Sequence, residues 1–78
     1  MNVRVRYFAA AAERAGVDEE QRGEASLGAL RRALVGEHPA LGEILPRCAV
    51  LVDGVRTDVD APLARGAIVD VLPPFAGG

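Results

Sequence analysis

The chain has 78 residues, 50 % of them apolar and 26 % charged, with a formal net charge of −2; this is one domain with one small core, too little chain to enclose a substrate unaided. No apolar run approaches the roughly 18 to 20 residues of a membrane span, and the nine cationic residues are all arginine, scattered from Arg4 to Arg65, so neither a membrane nor nucleic acid is expected as a partner. The single Cys48 allows no internal disulfide, and Met1-Asn2-Val3-Arg4 lacks the apolar stretch of a signal peptide, so the expected location is cytoplasmic.

Val3, Val5 and Tyr7 alternate with Arg4, Arg6 and Phe8, the period of a strand with one buried face. Ala9 to Ala15, stopped by Gly16, is either a loop or a short helical turn. Glu19 to Ala25 is a candidate second strand that pairs back on the first as a hairpin. Ser26 then precedes Leu27, Leu30 and Leu34, a spacing that predicts an amphipathic helix over residues 27 to about 37 with Ser26 as N-cap and Pro39 marking its end. Gly28 and Gly36 weaken that helix, so the packing of its leucine stripe has to carry it. Leu41, Ile44 and Leu45 before Pro46 form a short apolar turn, and Cys48 to Val52 reads as a strand.

Asp53-Gly54 between Val52 and Val55 is a hairpin signal, because a type I′ turn needs positive φ at both central residues. Residues 55 to 59 are expected to return as a shorter strand. After turns at Asp60 to Leu63 and Arg65-Gly66, residues 67 to 72 make the last strand, and two prolines then forbid further ladder pairing. One helix across a mixed sheet of four to five strands is the α+β, β-grasp arrangement, with the first and last strands parallel at the centre. Residues 1–72 are the folded body and 73–78 an extended, flexible tail.

The tail Pro73-Pro74-Phe75-Ala76-Gly77-Gly78 departs from everything before it. Two prolines stiffen the exit from the sheet, and Ala76, Gly77 and Gly78 carry so little side chain that the backbone can thread a narrow channel with its carboxylate leading. A carboxylate is a poor electrophile; to carry a group it is activated most simply by ATP, as an acyl-adenylate that sulfur or a cysteine thiolate attacks. The competing reading is a frayed end that happens to finish in glycine.

Over its whole length the chain resembles the small, sulfur-carrying subunits of molybdopterin synthase, which are ubiquitin-like β-grasp sulfur carriers. The resemblance is carried by Val5-Arg6-Tyr7-Phe8-Ala9, the Ser-capped helix ending Glu37-His38-Pro39, the hairpin Val50-Leu51-Val52-Asp53-Gly54 and, above all, Leu72-Pro73-Pro74-Phe75-Ala76-Gly77-Gly78. It implies that an ATP-dependent activating enzyme adenylates Gly78, a sulfur donor converts it to a thiocarboxylate, and the large synthase subunit receives the tail. Sulfur then passes to a cyclic pyranopterin, within a heterotetramer of two small and two large subunits. The chain itself would be no enzyme and would bind no resident cofactor. Arg65-Gly66-Ala67 and Arg56 depart from the family pattern, which leaves open carriers for thiamine, cysteine or tRNA thiolation, and a β-grasp protein modifier or interaction module.

If Val3, Val5 and Tyr7 face the helix, alternation puts Phe8, Ile68 and Leu72 on the other face of the sheet, with Phe8 near Leu72. These three residues are the candidate partner-binding patch at the root of the tail; the alternative is that Phe8 caps a core edge. His38 reads as a helix C-terminal cap and Cys48 as a small buried hydrophobe. Glu19-Glu20 is not a catalytic pair, since adjacent residues of a strand point apart. No metal site is expected.

Overall fold

The computed structural model describes residues 2–74; the expectations for Phe75, Ala76, Gly77 and Gly78 lie outside the described residues. Strand β1 (Val3–Tyr7) buries every second residue, with Val3, Val5 and Tyr7 between 0 % and 4 % exposed. Helix α1 (Ala10–Ala15) resolves the alanine run as helix, and Gly16 ends it in the left-handed conformation at φ 81°. Ala9, before α1, also has a positive φ of 51°, which costs a residue with a Cβ of order 1 kcal/mol or more. Strand β2 (Glu19–Arg22) follows, then α2 (Leu27–Glu37) with Leu27, Leu30 and Leu34 buried and Ser26 Oγ accepting from the Ala29 N–H.

The apolar turn is a short helix α3 (Pro39–Gly42) and a 3₁₀ turn (Leu45–Arg47), before β3 (Ala49–Val52), β4 (Val55–Arg56) and β5 (Ile68–Leu72). The strands form one mixed sheet in the order β2-β1-β5-β3-β4, with β1 and β5 parallel at its centre and the other pairs antiparallel. Asp53 and Gly54 take φ of 49° and 83°, as the type I′ turn between β3 and β4 requires. Among the described residues no helix is long and apolar enough to cross a membrane.

The core lies between α2 and the covered face of the sheet, where Val3, Val5, Tyr7, Val50, Val69 and Val71 join the leucines of α2 with Leu41, Ile44, Leu45, Cys48 and Leu63. Cys48 is buried, and its Sγ–H donates to Ile44 O at 3.3 Å; burial pushes the thiol above its ordinary range, opposite to what a reactive cysteine needs. Gly28 has a positive use beside its helical cost. Asp60 Oδ1 accepts from the Gly28 N–H at 2.7 Å, and a Cβ there would lie 2.8 Å from the carboxylate. With Ala61 O accepting from the Leu27 N–H at 2.8 Å, three oxygens, from Ala61, Asp60 and Ser26, thus satisfy the first N–H groups of α2.

The return strand is shorter than expected. Pairing in β4 covers Val55 and Arg56, and Thr57 adds one more bond from its N–H to Val50 O. The Thr57 hydroxyl donates to Val55 O, Arg56 pairs with Asp58, and Asp60 is held at the helix; local side-chain bonds compete with the ladder. The strand expected over Glu19 to Ala25 ends at Arg22 for a similar reason, because Arg22 bonds to Glu24 within its own segment. Cys48 closes the 3₁₀ turn and Ala67 the turn before β5, so those two strands begin one residue later than the pattern suggests.

Candidate functional site

The side of the sheet away from α2 carries the residues that alternation turns outward, and the strand registers arrange them in rows. Phe8 follows the Tyr7–Val71 pair, and its N–H donates to Val71 O at 3.1 Å, so its neighbour across the parallel pair is Leu72. Ala49 pairs with Leu72 from the other side, giving an apolar row at the end of β5 where the chain leaves the sheet. Phe8 is 40 % exposed and Leu72 partly buried, so the ring does not seal a core edge. Pro73 is buried and Pro74 exposed.

The next row is charged at its centre. Arg6 meets Asp70 through two hydrogen bonds of 2.6 and 2.9 Å, with Leu51 beyond Asp70 and Glu19 on the other flank. The Arg6 guanidinium also lies 5.7 Å from the centre of the Phe8 ring, within reach of a cation–π attraction. This paired fork holds the ring from one side and occupies the space between Leu72 and Ile68. Ile68 therefore shares the face but stands a row further down, opposite Arg4, about 13 Å along the strand from Leu72. The three patch residues share a face; only Phe8 and Leu72 are brought together.

Ala49, Leu51 and the Arg6–Asp70 pair were missed from the sequence. Alternation about the buried Val50 was the signal for the first two. Nothing local announces a bond between residues 64 apart in sequence.

On the opposite flank a polar cluster ties β2 to the end of α2. The Tyr7 hydroxyl donates to Glu20 Oε2 at 3.1 Å, His38 Nε2 lies 2.9 Å from the same oxygen, and the Tyr7 and His38 rings meet edge-on at 6.2 Å. Arg22 spans Glu20, Glu24 and Glu37 at 2.7 to 3.1 Å. Burial pushes Glu20 up, but hydrogen bonds from Arg22, His38 and Tyr7 overcome it and hold its pKa below 4.5, while Arg22 lowers Glu24 and Glu37. Burial and the charge of Glu20 raise the Tyr7 hydroxyl.

Glu20, Glu37 and His38 bring possible metal-ligating atoms within 4.8 Å of one another. Arg22 already neutralises both carboxylates at 2.9 and 2.7 Å, so a cation would have to displace it. His38 is the C-cap of α2, its backbone N–H bonded to Leu34 O. Glu19 faces Arg4 and Glu20 faces Tyr7, on opposite sides of β2. Among the described residues, the open face therefore combines partly exposed apolar groups with ion pairs.

Comparison with known proteins agrees with this architecture. The sequence matches the ThiS family over residues 5–78. It is 36 % identical over 84 aligned residues to a protein named molybdopterin synthase sulfur carrier subunit from Chlamydomonas reinhardtii, the match covering 100 % of both chains. The fold superposes with a TM-score of 0.82 on SAMP1 from Haloferax volcanii, at 29 % identity and 100 % of both chains. It superposes with a TM-score of 0.77, at 30 % identity and again 100 % of both, on a chain of the complex of subunits 1 and 2 of the molybdopterin-converting factor from Helicobacter pylori. With a ubiquitin-like β-grasp body and a family match that runs through the final glycines, this chain belongs to the ThiS family.

Proposed function

We propose that this chain is the sulfur carrier of molybdopterin synthesis, and that its reacting group is the carboxylate of Gly78. The observation that carries the reading is the placement of Leu72-Pro73-Pro74 at the end of the central strand, beside Phe8, with Phe75-Ala76-Gly77-Gly78 following in sequence. The end-to-end likeness to a sulfur carrier subunit supports it. In this reading a carboxylate oxygen of Gly78 attacks the α-phosphorus of ATP on an activating enzyme and pyrophosphate leaves. A sulfur nucleophile then adds to the carbonyl and AMP leaves, giving a thiocarboxylate. The large synthase subunit takes the tail and passes the sulfur to a cyclic pyranopterin, and water restores the carboxylate.

Pro73 and Pro74 set the direction of the tail; Phe75 adds an apolar hold; Ala76 and Gly77 pass the channel; Phe8, Leu72 and Ile68 dock the body. The chain supplies the reacting carbonyl, and its partners supply the catalytic groups. Two carriers and two large subunits make the working assembly. No resident metal or cofactor is needed on the carrier, and the cycle runs in the cytoplasm. Likeness to SAMP1, a small archaeal modifier protein by name, favours one second reading, in which Gly78 ends in an amide bond to a target amine.

The test is reconstitution with activating enzyme, ATP, sulfide, large subunit and cyclic pyranopterin. Full-length carrier should yield the dithiolene product, and neither the Gly78 deletion nor a one-alanine extension should. Product from either variant would remove the basis of the proposal, and recovery of the carrier only as amide conjugates would favour the modifier.

A further inference from the structure

At the end of the open face furthest from the tail lies a recess of about 370 Å³ lined by Asn2, Arg4, Gln21, Arg65, Gly66 and Ile68. Its walls are set by the backbone. The Gly66 N–H donates to Asn2 O at 2.8 Å and the Arg4 N–H to Ala67 O at 3.0 Å, so the start of β1 and the turn into β5 are tied together with Arg4 and Arg65 on the same rim. Gly66 makes that turn at φ 81°, a conformation that suits glycine.

The charge in this recess is poorly compensated, in contrast to the centre of the face. There Arg6 is held by Asp70 through two hydrogen bonds, with the Asp70 side chain only 13 % exposed. Arg65 is exposed and makes no ion pair among the described residues, and Arg4 meets only Glu19, at 3.4 Å with both side chains about half exposed. Such an exposed pair is worth little in water. Two arginines and two residues with side-chain amides line one space, with no carboxylate among the lining residues, and that donor chemistry suits a planar oxyanion.

We infer that the recess is a second docking point, taking a carboxylate side chain of the protein that covers the open face. The inference rests on the reading above, in which that protein is the large synthase subunit. Ile68 gives the continuity, because it lines the recess and shares β5 with Leu72, about 13 Å away at four residues of strand rise. A standard interface of about 800 Å² per partner is roughly 30 Å across, so a partner seated on Phe8 and Leu72 reaches the recess without leaving the face. The apolar end near the tail supplies close packing. The charged end fixes the carrier's orientation and speeds the encounter.

The experiment measures the dissociation constant of the full-length carrier with the large synthase subunit across a salt series. Arg65→Glu should weaken binding about tenfold at low salt and flatten the dependence of affinity on salt, with Arg4→Gln following at a few-fold, as removal of a charge complement predicts. Arg32→Glu, exposed on α2, should leave both quantities at wild-type values, and thermal unfolding should show all three variants folded. An Arg65→Glu carrier that binds like wild type, or loses no more than Arg32→Glu does, overturns the inference. If the wild-type chain fails to bind the large subunit, the functional reading falls, and the recess is then judged on the free chain. Titration with acetyl-Glu-Glu-amide, read by NMR at the arginine Nε–H groups, should move Arg4 and Arg65 selectively and saturably. A uniform response of all the arginines would overturn the recess as well.

Discussion

The two faces of the sheet are built from the same strands and follow different rules. On the covered face Val3, Val5, Val50, Val69 and Val71 are at most 2 % exposed and carry no polar atom on their side chains. On the open face, residues one position away alternate between partly exposed apolar groups and ion pairs: Phe8, Leu72 and Ala49, then Arg6, Asp70 and Leu51, then Arg4 and Ile68. A face that only had to stay in water would not hold a phenylalanine ring under a clamped guanidinium. A face that only had to be buried would not carry Arg4 or Arg65. The covered side accounts for the fold, and the open side has the mixed apolar and charged surface on which the proposed docking rests.

The sharpest way to break this division is to mutate each side and ask what is lost. Leu30→Ala removes a side chain 1 % exposed in the middle of α2 and should destabilise by about 2–5 kcal/mol, a large share of what a domain this small has. Denaturant unfolding measures it, and the remaining folded fraction should still accept sulfur. A stability loss below about 1 kcal/mol would mean that α2 does not rest on the sheet as described.

Arg22→Met comes next. It leaves Glu20, Glu24 and Glu37 without their shared cation and should cost about 1–3 kcal/mol, with Arg22→Lys restoring only part because an ammonium cannot fork. The same cluster sets a pH dependence. The three carboxylates are held below 4.5 when folded, so their stabilisation is present above pH 4.5 and is lost as pH falls through the lowered values. Tyr7, raised above its ordinary 10, has the opposite sign, stabilising below pH 10 and losing that contribution as the pH climbs higher. Thermal unfolding against pH should show the acid limb flattened in Arg22→Met.

Phe8→Ala reverses the pattern. Stability should change by less than about 1 kcal/mol, while affinity for the large synthase subunit falls about tenfold or more, the behaviour of an anchor at an interface and not of a core residue. Arg6→Met should produce a smaller loss, and little further loss in a Phe8→Ala background if Arg6 acts by holding the ring. The smallest effect is at Ala9, whose φ of 51° glycine tolerates better; Ala9→Gly should stabilise by about 0.5–1 kcal/mol at most, read from the unfolding midpoint.

Much of the covered face was legible because a single period writes it. The Val3-Val5-Tyr7 and Leu27-Leu30-Leu34 spacings, the Ser26 cap and Asp53-Gly54 each announce one element within a few residues, and the parallel centre follows from economy of topology. What was not legible is bonded across long separations. Asp60 closes on Gly28, Arg22 gathers Glu37, Arg6 meets Asp70, and Gly66 is tied to Asn2. Such pairs have no period, and the charged residues that form them look locally like any solvated surface. The candidate patch was legible as to its face but not its rows, since alternation tells which side a residue takes and register tells which neighbour it meets. The tail reading rests on residue types alone, and Phe75 to Gly78 lie outside the described residues.

The most direct measurement is the intact mass of the untagged protein purified from its own cells under mild, non-alkylating conditions. A carrier working through Gly78 gives a species about 16 Da heavier, one oxygen of the terminal carboxylate replaced by sulfur through the activated acyl group, and that species disappears when Gly78 is deleted. A chain found only at its unmodified mass, even after incubation with ATP, sulfide and the activating enzyme, would contradict that role for Gly78.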